Sequence, residues 1–253
     1  MLRAEPTERF SARVENYVRF RPSYPREVID VMRQECGLTH ISVVADIASG
    51  TGLFTRLLLE NGNRVYGVEP NENMRNAGEE YLAGYSNFVS VNGTAEVTTL
   101  ARSSVDLVTC AQAAHWFNRE KAMPEFRRIL KPGGYLVLIW NDRKIGNPFA
   151  EKYENLVVKY GTDYSEVQRL GRAVDGVEFF APLICEKRTL PNYQDLSYES
   201  LEGRLLSSSY APQPGEPDCE LMLAELRRIF NEHQRNGLVQ MEYDTNIYFG
   251  KLS

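Results

Sequence analysis

Short apolar runs alternate with helical patterns between residues 40 and 140. Five of these runs are rich in β-branched and other apolar residues and predict strands, at residues 42–47, 64–68, 88–91, 105–109 and 135–140. Strands that alternate with helices form a parallel sheet wrapped by crossover helices. This part of the chain therefore predicts an α/β fold.

Three helices are predicted between those strands. The first spans residues 53–60 and stops at an Asn-Gly pair. Asn71 is placed to cap the second, and Asn118 to cap the third, which extends to about residue 130. Pro124 lies inside the third helix, where a proline removes a backbone donor, so we expect it to limit or bend that helix.

Both ends of the chain carry further periodic patterns. Residues 8–35 have a helical pattern that prolines interrupt, and residues 221–237 have apolar residues at helical spacing. The last two runs, 239–243 and 246–250, alternate apolar and polar residues. We expect these two runs to form an antiparallel hairpin that completes the sheet.

Composition and charge exclude several classes of protein. With 43% hydrophobic and 25% charged residues, the chain has the make-up of an ordinary globular protein. Its net charge of -5 gives no general attraction to nucleic acid. The apolar runs are too short for a bilayer span, and the N-terminus lacks the apolar stretch of a signal peptide. We therefore expect a cytoplasmic protein, a monomer or homodimer, with no nucleic-acid or membrane partner.

The cysteines do not form a metal-binding pattern. Cys36, Cys110, Cys185 and Cys219 are far apart in sequence, and no histidine lies at ligand spacing from any of them. We expect reduced, packed thiols and no metal site.

The sharpest local signal is a glycine-rich turn between the first predicted strand and helix. Residues 43–52 read VVADIASGTG. Gly50 and Gly52 let the backbone approach a ligand closely, and the start of the helix offers unpaired N–H groups. Asp46 ends the strand, where it can reach a ligand ammonium directly or through water. A tight strand-to-helix connection without a ligand explains the same turn.

An acid at the end of the second strand adds to this signal. Glu69 lies seventeen positions after Gly52, where a doubly wound sheet places the carboxylate that accepts hydrogen bonds from ribose hydroxyls. A dinucleotide site usually also has a glycine three positions after the last turn glycine, and this chain has Thr55 there. The pattern thus favours a nucleoside ligand over a dinucleotide.

The pattern Asp46-x-Ala48-x-Gly50-x-Gly52 resembles the first motif of the class I S-adenosylmethionine (SAM)-dependent methyltransferases, with Ala48 where the family more often has glycine. The resemblance continues in order through residues 40–140 and includes the segment RILKPGG at 128–134. It implies a Rossmann-like, seven-stranded, mostly parallel sheet with a C-terminal antiparallel hairpin, helices on both faces and an N-terminal helical cover.

The resemblance also implies a division of the chain and a set of cofactor-binding residues. Residues 1–253 would form a single methyltransferase domain, with a cover at 1–38, a SAM-binding core at 40–140 and an acceptor-side insertion with the end of the sheet at 141–253. The implied SAM-binding residues in the core are Asp46, Ala48, Gly50, Gly52, Glu69, Pro70, Met74, Thr94, Ala95, Glu96, Ala111 and Gln112.

Two further segments resemble the methyltransferase type 11 family, and in particular the subgroup that includes trans-aconitate methyltransferase. These are the run QAAHWF at 112–117 and the pattern around Tyr17 and Arg21 near the N-terminus. The resemblance implies that Tyr17 and Arg21 close the site over the cofactor and contribute to catalysis. Arg21 can pair with a carboxylate, either the methionyl carboxylate of SAM or one on the acceptor.

His115 is the candidate general base, because the ordinary pKa of histidine lies near neutral pH. A histidine packed at a helix entrance explains its position equally well. Aromatic residues nearby can face the sulfonium or simply pack, at Tyr17, Tyr24, Trp116 and Trp140.

The sequence therefore predicts an enzyme that transfers the methyl group of SAM to a small-molecule acceptor, at a carboxylate or hydroxyl oxygen. Such an enzyme needs little catalytic machinery, because SAM already carries an activated methyl group. Two alternatives stay open: a SAM-binding regulatory protein without turnover, and an NAD-dependent oxidoreductase.

Overall fold

A computed structural model describes residues 19–162, 164 and 176–252 of this chain. Its strands form one seven-stranded sheet. They are β1 Val43–Ile47, β2 Arg64–Val68, β3 Phe88–Val91, β4 Val105–Ala111, β5 Leu130–Arg143, β6 Glu186–Leu196 and β7 Val239–Lys251. The helices of the described residues are α1 Glu27–Cys36, α2 Leu53–Glu60, α3 Glu72–Tyr81, α4 Arg119–Ile129, α5 Pro148–Tyr160, α6 Gly176–Phe180, α7 Tyr198–Leu206 and α8 Cys219–His233.

The strands follow the order β3-β2-β1-β4-β5-β7-β6 across the sheet. Strands β3, β2, β1, β4 and β5 pair in parallel with their neighbours in that order. Strand β7 runs antiparallel to both β5 and β6. The chain order reverses between β1 and β4, which is the topological switch point where such sheets bind ligands. The predicted Rossmann-like, mostly parallel sheet is confirmed, and so are its five central strands.

The prediction that residues 239–243 and 246–250 pair with each other as a hairpin is wrong. Residues 239–243 and 246–250 belong to one continuous strand, β7, because the alternation persists through residues 244 and 245. The antiparallel partner at the sheet edge is β6, which comes before α7 and α8 in the chain. Strand β6 is hard to recognise in the sequence because it contains Pro191. A proline is tolerated in a strand mainly at a sheet edge, which is where β6 lies.

The predicted helix caps are confirmed. The Asn71 side chain accepts a hydrogen bond from the backbone of Met74, and the Asn118 side chain accepts one from Lys121. Pro124 does not limit α4, which continues to Ile129. A proline is accommodated there because its ring lies on the exposed face of the helix.

Residues 19–26 cross the carboxyl ends of the central strands. The side chains of Asn141 and Asn192 donate to the carbonyl oxygen of Ser23, at 3.2 and 2.8 Å. Phe20 packs against Gly203 of α7 so closely that a Cβ there would lie 2.1 Å from the ring. These contacts join the N-terminal segment to the C-terminal helices.

The four cysteines are all free thiols, as expected from the sequence. Within the described part of the chain, no helix is both long and apolar enough to cross a membrane.

Candidate functional site

A cleft opens where β1, β4 and β5 end, and we call it the central cleft. Its walls include Arg21, Pro22, Tyr24, Asp46, Ala48, Gly50, Thr51, Phe54, Ala111, Gln112, Asn141 and Arg204. The cleft lies at the switch point of the sheet, where the sequence placed the ligand.

The floor of the central cleft is the glycine-rich turn between β1 and α2. Gly50 and Gly52 have φ angles of 57° and 85°, in the left-handed region that glycine adopts without strain. A Cβ on Gly52 would lie 2.6 Å from the side chain of Leu82, so packing also requires glycine there. Ala48 has φ 53° and carries the strain that a glycine would avoid.

Glu69 is joined directly to this turn. Its carboxylate accepts a hydrogen bond from the backbone N–H of Gly50 at 2.9 Å and another from Asn71 at 2.8 Å. The side chain is buried, and burial raises its pKa. Each carboxylate oxygen can accept more than one hydrogen bond, so Glu69 retains capacity for ligand hydroxyls.

Asp46 is held by two threonines. The hydroxyls of Thr55 and Thr109 donate to its two oxygens, at 2.6 and 2.8 Å. Burial raises the pKa of Asp46 to about 6, against the lowering effect of these bonds. Thr55 thus has a structural role at the position where a dinucleotide site usually has glycine, and its buried hydroxyl stabilises the carboxylate at the cleft wall.

The opposite wall begins at the end of β4. Gln112 has φ 63°, and its backbone N–H donates to the carbonyl of Ile139 while its side chain donates to that of Asn141. Ala48 and Gln112 are therefore two non-glycine residues in left-handed conformations that line the same cleft. Backbone strain of this kind concentrates at functional sites.

The N-terminal segment supplies a third wall. Arg21 donates to the carbonyl of Ser207 at 2.8 Å, and Tyr24 packs edge-on against Phe54 with ring centroids 5.2 Å apart. Arg21 thus lies in the cleft, as the sequence suggested. Tyr17, its predicted companion, lies outside the described residues.

The other predicted cofactor residues lie around the turn without lining the central cleft. Met74 is buried, and its methyl group lies 3.4 Å from the position of a Cβ on Gly50. Pro70 follows Glu69, and its carbonyl accepts a hydrogen bond from Arg75 at 3.3 Å.

The segment at Thr94, Ala95 and Glu96 forms a turn of its own. The Thr94 hydroxyl accepts a hydrogen bond from the backbone of Val97 at 3.1 Å, and Ala95 is buried. Glu96 accepts a hydrogen bond from the backbone of Asn118 at 2.8 Å, so its carboxylate is tied to the start of α4.

His115 does not line the central cleft. It lies in a short 3-10 turn, Ala114–Trp116, with its ring centroid 4.8 Å from that of Trp116. Burial lowers its pKa to about 4, so the imidazole is neutral near pH 7. Its Nδ1 is buried and has no hydrogen-bond partner among the described residues.

Arg204 is a cleft residue that the sequence analysis did not identify. It lies on α7 between apolar residues and is only 8% exposed. The segment 201–206 reads LEGRLL, and nothing in it shows that Arg204 is buried, so the sequence carries no clear signal for this residue.

Comparison with known proteins assigns the central part of the chain. Residues 45–138 match the family described as "Methyltransferase domain". These residues include the glycine-rich turn, Glu69 and the strand that ends at Gln112. This match indicates a methyltransferase domain in this segment.

Curated relatives of this methyltransferase domain share its central region. A Schizosaccharomyces pombe protein named as an uncharacterised methyltransferase-like protein is 34% identical over 61% of this chain and 59% of its own length. A Mycobacterium tuberculosis protein named as an uncharacterised methyltransferase is 40% identical over 53% of this chain and 52% of its own length. The chain thus matches between about half and three fifths of the length of these relatives. Placement in the trans-aconitate methyltransferase subgroup stays a prediction.

The fold of the methyltransferase domain and its C-terminal extension also occurs in a solved structure. A protein from Anaeromyxobacter dehalogenans, provisionally named a type II methyltransferase, aligns with a TM-score of 0.71 and 20% identity. The alignment covers 92% of this chain and 98% of the other. At this identity the likeness establishes the shared fold alone.

SAM is the cofactor of this domain class, and the described residues fit it. The central cleft has a glycine floor, a carboxylate at its wall for the ammonium, and Glu69 behind the turn for the ribose. Thr51 also lines the cleft, and its buried hydroxyl has no hydrogen-bond partner among the described residues.

Proposed function

We propose that this chain transfers the methyl group of SAM to an oxygen atom, a carboxylate or a hydroxyl, of a small-molecule acceptor. The observation that carries the proposal is the hydrogen bond between Gly50 and Glu69. It brings the glycine-rich turn and the acid of the second strand to one buried place, where one adenosine can contact both.

In this proposal the two acids have different tasks. Glu69 accepts hydrogen bonds from the ribose hydroxyls while keeping its bond to Gly50. Asp46 faces the ammonium of the methionyl group, with Thr55 and Thr109 holding its orientation. Met74 and the segment 94–96 contact the adenine.

The other walls of the central cleft then face the reacting methyl group. Ala111 and Gln112 contact the methionyl part, and Arg21 closes the cleft from the N-terminal side. When bound, SAM would supply an activated methyl group for the acceptor oxygen and would leave as S-adenosylhomocysteine. The protein contributes alignment of the two reactants and exclusion of water.

The acceptor decides whether a base is needed. A carboxylate acceptor has no proton to lose, whereas a hydroxyl acceptor must pass its proton to a base. His115 is the candidate from the sequence. Its pKa of about 4 leaves it neutral at pH 7 but makes it a weaker base than an ordinary histidine. Because it lies outside the central cleft, this task would require a water molecule or a movement of the 3-10 turn.

We also propose the division of the chain stated above, with residues 40–140 holding the cofactor and residues 141–253 shaping the acceptor pocket. The entry of Asn141 and Arg204 into the central cleft supports this division. The predicted cover at 1–38 lies partly outside the described residues. A cytoplasmic location and a monomeric or dimeric state stay predictions.

Two measurements test the proposed function. Calorimetric titration with SAM and S-adenosylhomocysteine (SAH) should show binding of both at one site, and titration with NADH should show none. Incubation with SAM and a panel of small acids and alcohols should then release SAH. A folded protein that binds neither SAM nor SAH contradicts the proposal, and tight binding without transfer to any acceptor favours the non-catalytic alternative.

A further inference from the structure

Three buried polar atoms near the central cleft have no hydrogen-bond partner among the described residues. They are the Nε atoms of Arg143 and Arg204 and the hydroxyl of Tyr153. Tyr153 is fully buried, Arg204 is 8% exposed and the Arg143 side chain is 13% exposed. Buried polar groups are normally paired, so three unpaired atoms in one region need an explanation.

These three side chains come from different elements and meet in one cluster. Arg143 ends β5, and its guanidinium lies over the ring of Tyr153, on α5, at 4.6 Å from the centroid. Burial raises the pKa of the Tyr153 hydroxyl to about 12, although Arg204 and Arg143 lie close enough to oppose that shift. The hydroxyl is therefore protonated at neutral pH and can donate.

The two arginines differ in their partners. Arg143 forms an ion pair with Glu154. Arg204 donates to the hydroxyl of Ser208 at 3.2 Å, and the other groups that act on its charge among the described residues are tyrosines, Tyr153, Tyr210 and Tyr243, with no carboxylate among them. A buried cation without a counter-charge is costly, since burial removes its hydration without replacing it.

We propose that Arg204, which lines the cleft, binds an anionic oxygen group, a carboxylate or a phosphate, carried by the methyl acceptor, and that Tyr153 and Arg143 support it from the buried cluster next to it. This inference rests on the proposed function, because it places the group beside the cofactor. Arg204 lines the central cleft itself, so a molecule lying in front of the SAM sulfur can reach it. The guanidinium binds oxyanions in two-point geometry, which fixes the acceptor's orientation.

The charges of the central cleft favour an acceptor with this group. Arg21 and Arg204 line the cleft together with one carboxylate, that of Asp46, which the ammonium of SAM would neutralise. The methionyl carboxylate of SAM can neutralise one arginine, and we assign it to Arg21, which closes the cleft from the N-terminal side. Arg204 is then left for an anion that is not part of the cofactor.

The test uses three variants of the full chain. Arg204→Gln removes the charge. Tyr153→Phe removes only a hydroxyl that has no partner among the described residues, so the second variant keeps its fold if the first does not. Arg188→Gln is the matched control, because Arg188 lies at the exposed sheet edge and pairs with Glu35. For each protein, SAH binding is measured first, and the SAH complex is then titrated with succinate, phosphate and the neutral diamide succinamide.

We expect succinate or phosphate to bind the wild-type SAH complex and succinamide not to bind. Arg204→Gln should lower the affinity for the anion by at least about tenfold, because it removes a charged donor. Tyr153→Phe should lower it by about fivefold, because it removes a neutral donor. SAH affinity should stay within about twofold of wild type in both variants. Whichever anion binds identifies the group as a carboxylate or a phosphate.

Several results would overturn the subsite. One is the absence of anion binding to a wild-type protein that does bind SAH, and another is anion binding that Arg204→Gln and Tyr153→Phe leave unchanged. A tenfold loss of SAH affinity in Arg204→Gln would assign the arginine to the methionyl carboxylate instead. Failure of the wild-type protein to bind SAH would reject the proposed function, which is a separate outcome.

Discussion

The backbone N–H of Gly50 donates a hydrogen bond to the carboxylate of Glu69 at 2.9 Å. Gly50 belongs to the turn after β1, and Glu69 follows the end of β2, so the bond joins the two strongest motifs of the sequence. The same carboxylate also accepts from Asn71, at the start of α3. A ligand that contacts Glu69 therefore also contacts the turn.

Replacing Glu69 should lower the affinity for the cofactor more than it lowers the stability of the fold. In Glu69→Gln one oxygen becomes an NH₂ group, which cannot accept from a ribose hydroxyl. We expect SAH affinity to fall by at least about tenfold, since hydrogen bonds to charged groups contribute roughly 1.5–3 kcal/mol. Calorimetry measures the affinity, and Glu72→Gln, on the exposed start of α3, is the control. Equal affinity in all three proteins would remove Glu69 from the site.

The buried Asp46 should make stability depend on pH. Burial raises its pKa from 3.8 to about 6, so the folded state binds this proton more tightly than the unfolded state. The contribution of Asp46 to the free energy of unfolding should therefore fall as pH rises from about 4 to 6, by up to roughly 1.4 kcal/mol per pH unit.

Urea unfolding of the wild type and Asp46→Asn at several pH values measures this contribution as a difference. The wild type should lose stability relative to Asp46→Asn across that range. A difference that stays constant with pH, or rises with it, would show that Asp46 is ionised in the folded protein throughout.

Ala48 carries backbone strain that its substitution should relieve. Its φ of 53° costs an alanine about 1 kcal/mol or more, whereas glycine adopts it freely. Glycine also loses more entropy on folding, so we expect Ala48→Gly to stabilise the protein by roughly 0.5 kcal/mol. Ala83→Gly, at an exposed residue with negative φ, should destabilise it. Thermal unfolding compares the two, and a loss of stability in Ala48→Gly would contradict this account of the strain.

His115 should stay neutral over the physiological pH range. Burial lowers its pKa to about 4, and nothing among its described contacts replaces the lost hydration. NMR of the imidazole signals, with the His115→Asn spectrum to identify its resonance, should show no protonation between pH 8 and pH 5. A midpoint near 6.5 would mean that the ring is solvated, and that it can exchange protons with solvent as an ordinary histidine does.

The central strands and the turn could be predicted because each element is specified locally. Asn71 and Asn118 cap helices that begin at the next residue, and each apolar run forms its own strand. In the glycine-rich turn, the glycines themselves indicate the positive φ angles. Strand β6 could not be recognised, because its pairing with β7 is fixed by contacts distant in sequence and its proline hides the pattern.

The cleft residues also differ in whether a local pattern or packing between distant segments brings them to the site. Asp46 and Gly50 stand at strand ends that the pattern located, so their meeting follows from the topology. Arg204 enters the central cleft from α7, a helix that no motif connected to the sheet. Contacts distant in sequence, such as the packing of Phe20 against Gly203, hold that helix at the cleft. His115 follows a motif close to the predicted chemistry, yet it is not among the residues that line the central cleft, and its catalytic role stays a prediction.

A crystal structure of this chain with SAH tests the central claim most directly. We predict SAH in the central cleft, with its ribose hydroxyls within hydrogen-bond distance of Glu69 and its sulfur facing the side of Gln112 and Arg204. SAH bound elsewhere, or bound in the cleft with Glu69 contacting only Gly50 and Asn71, would contradict it.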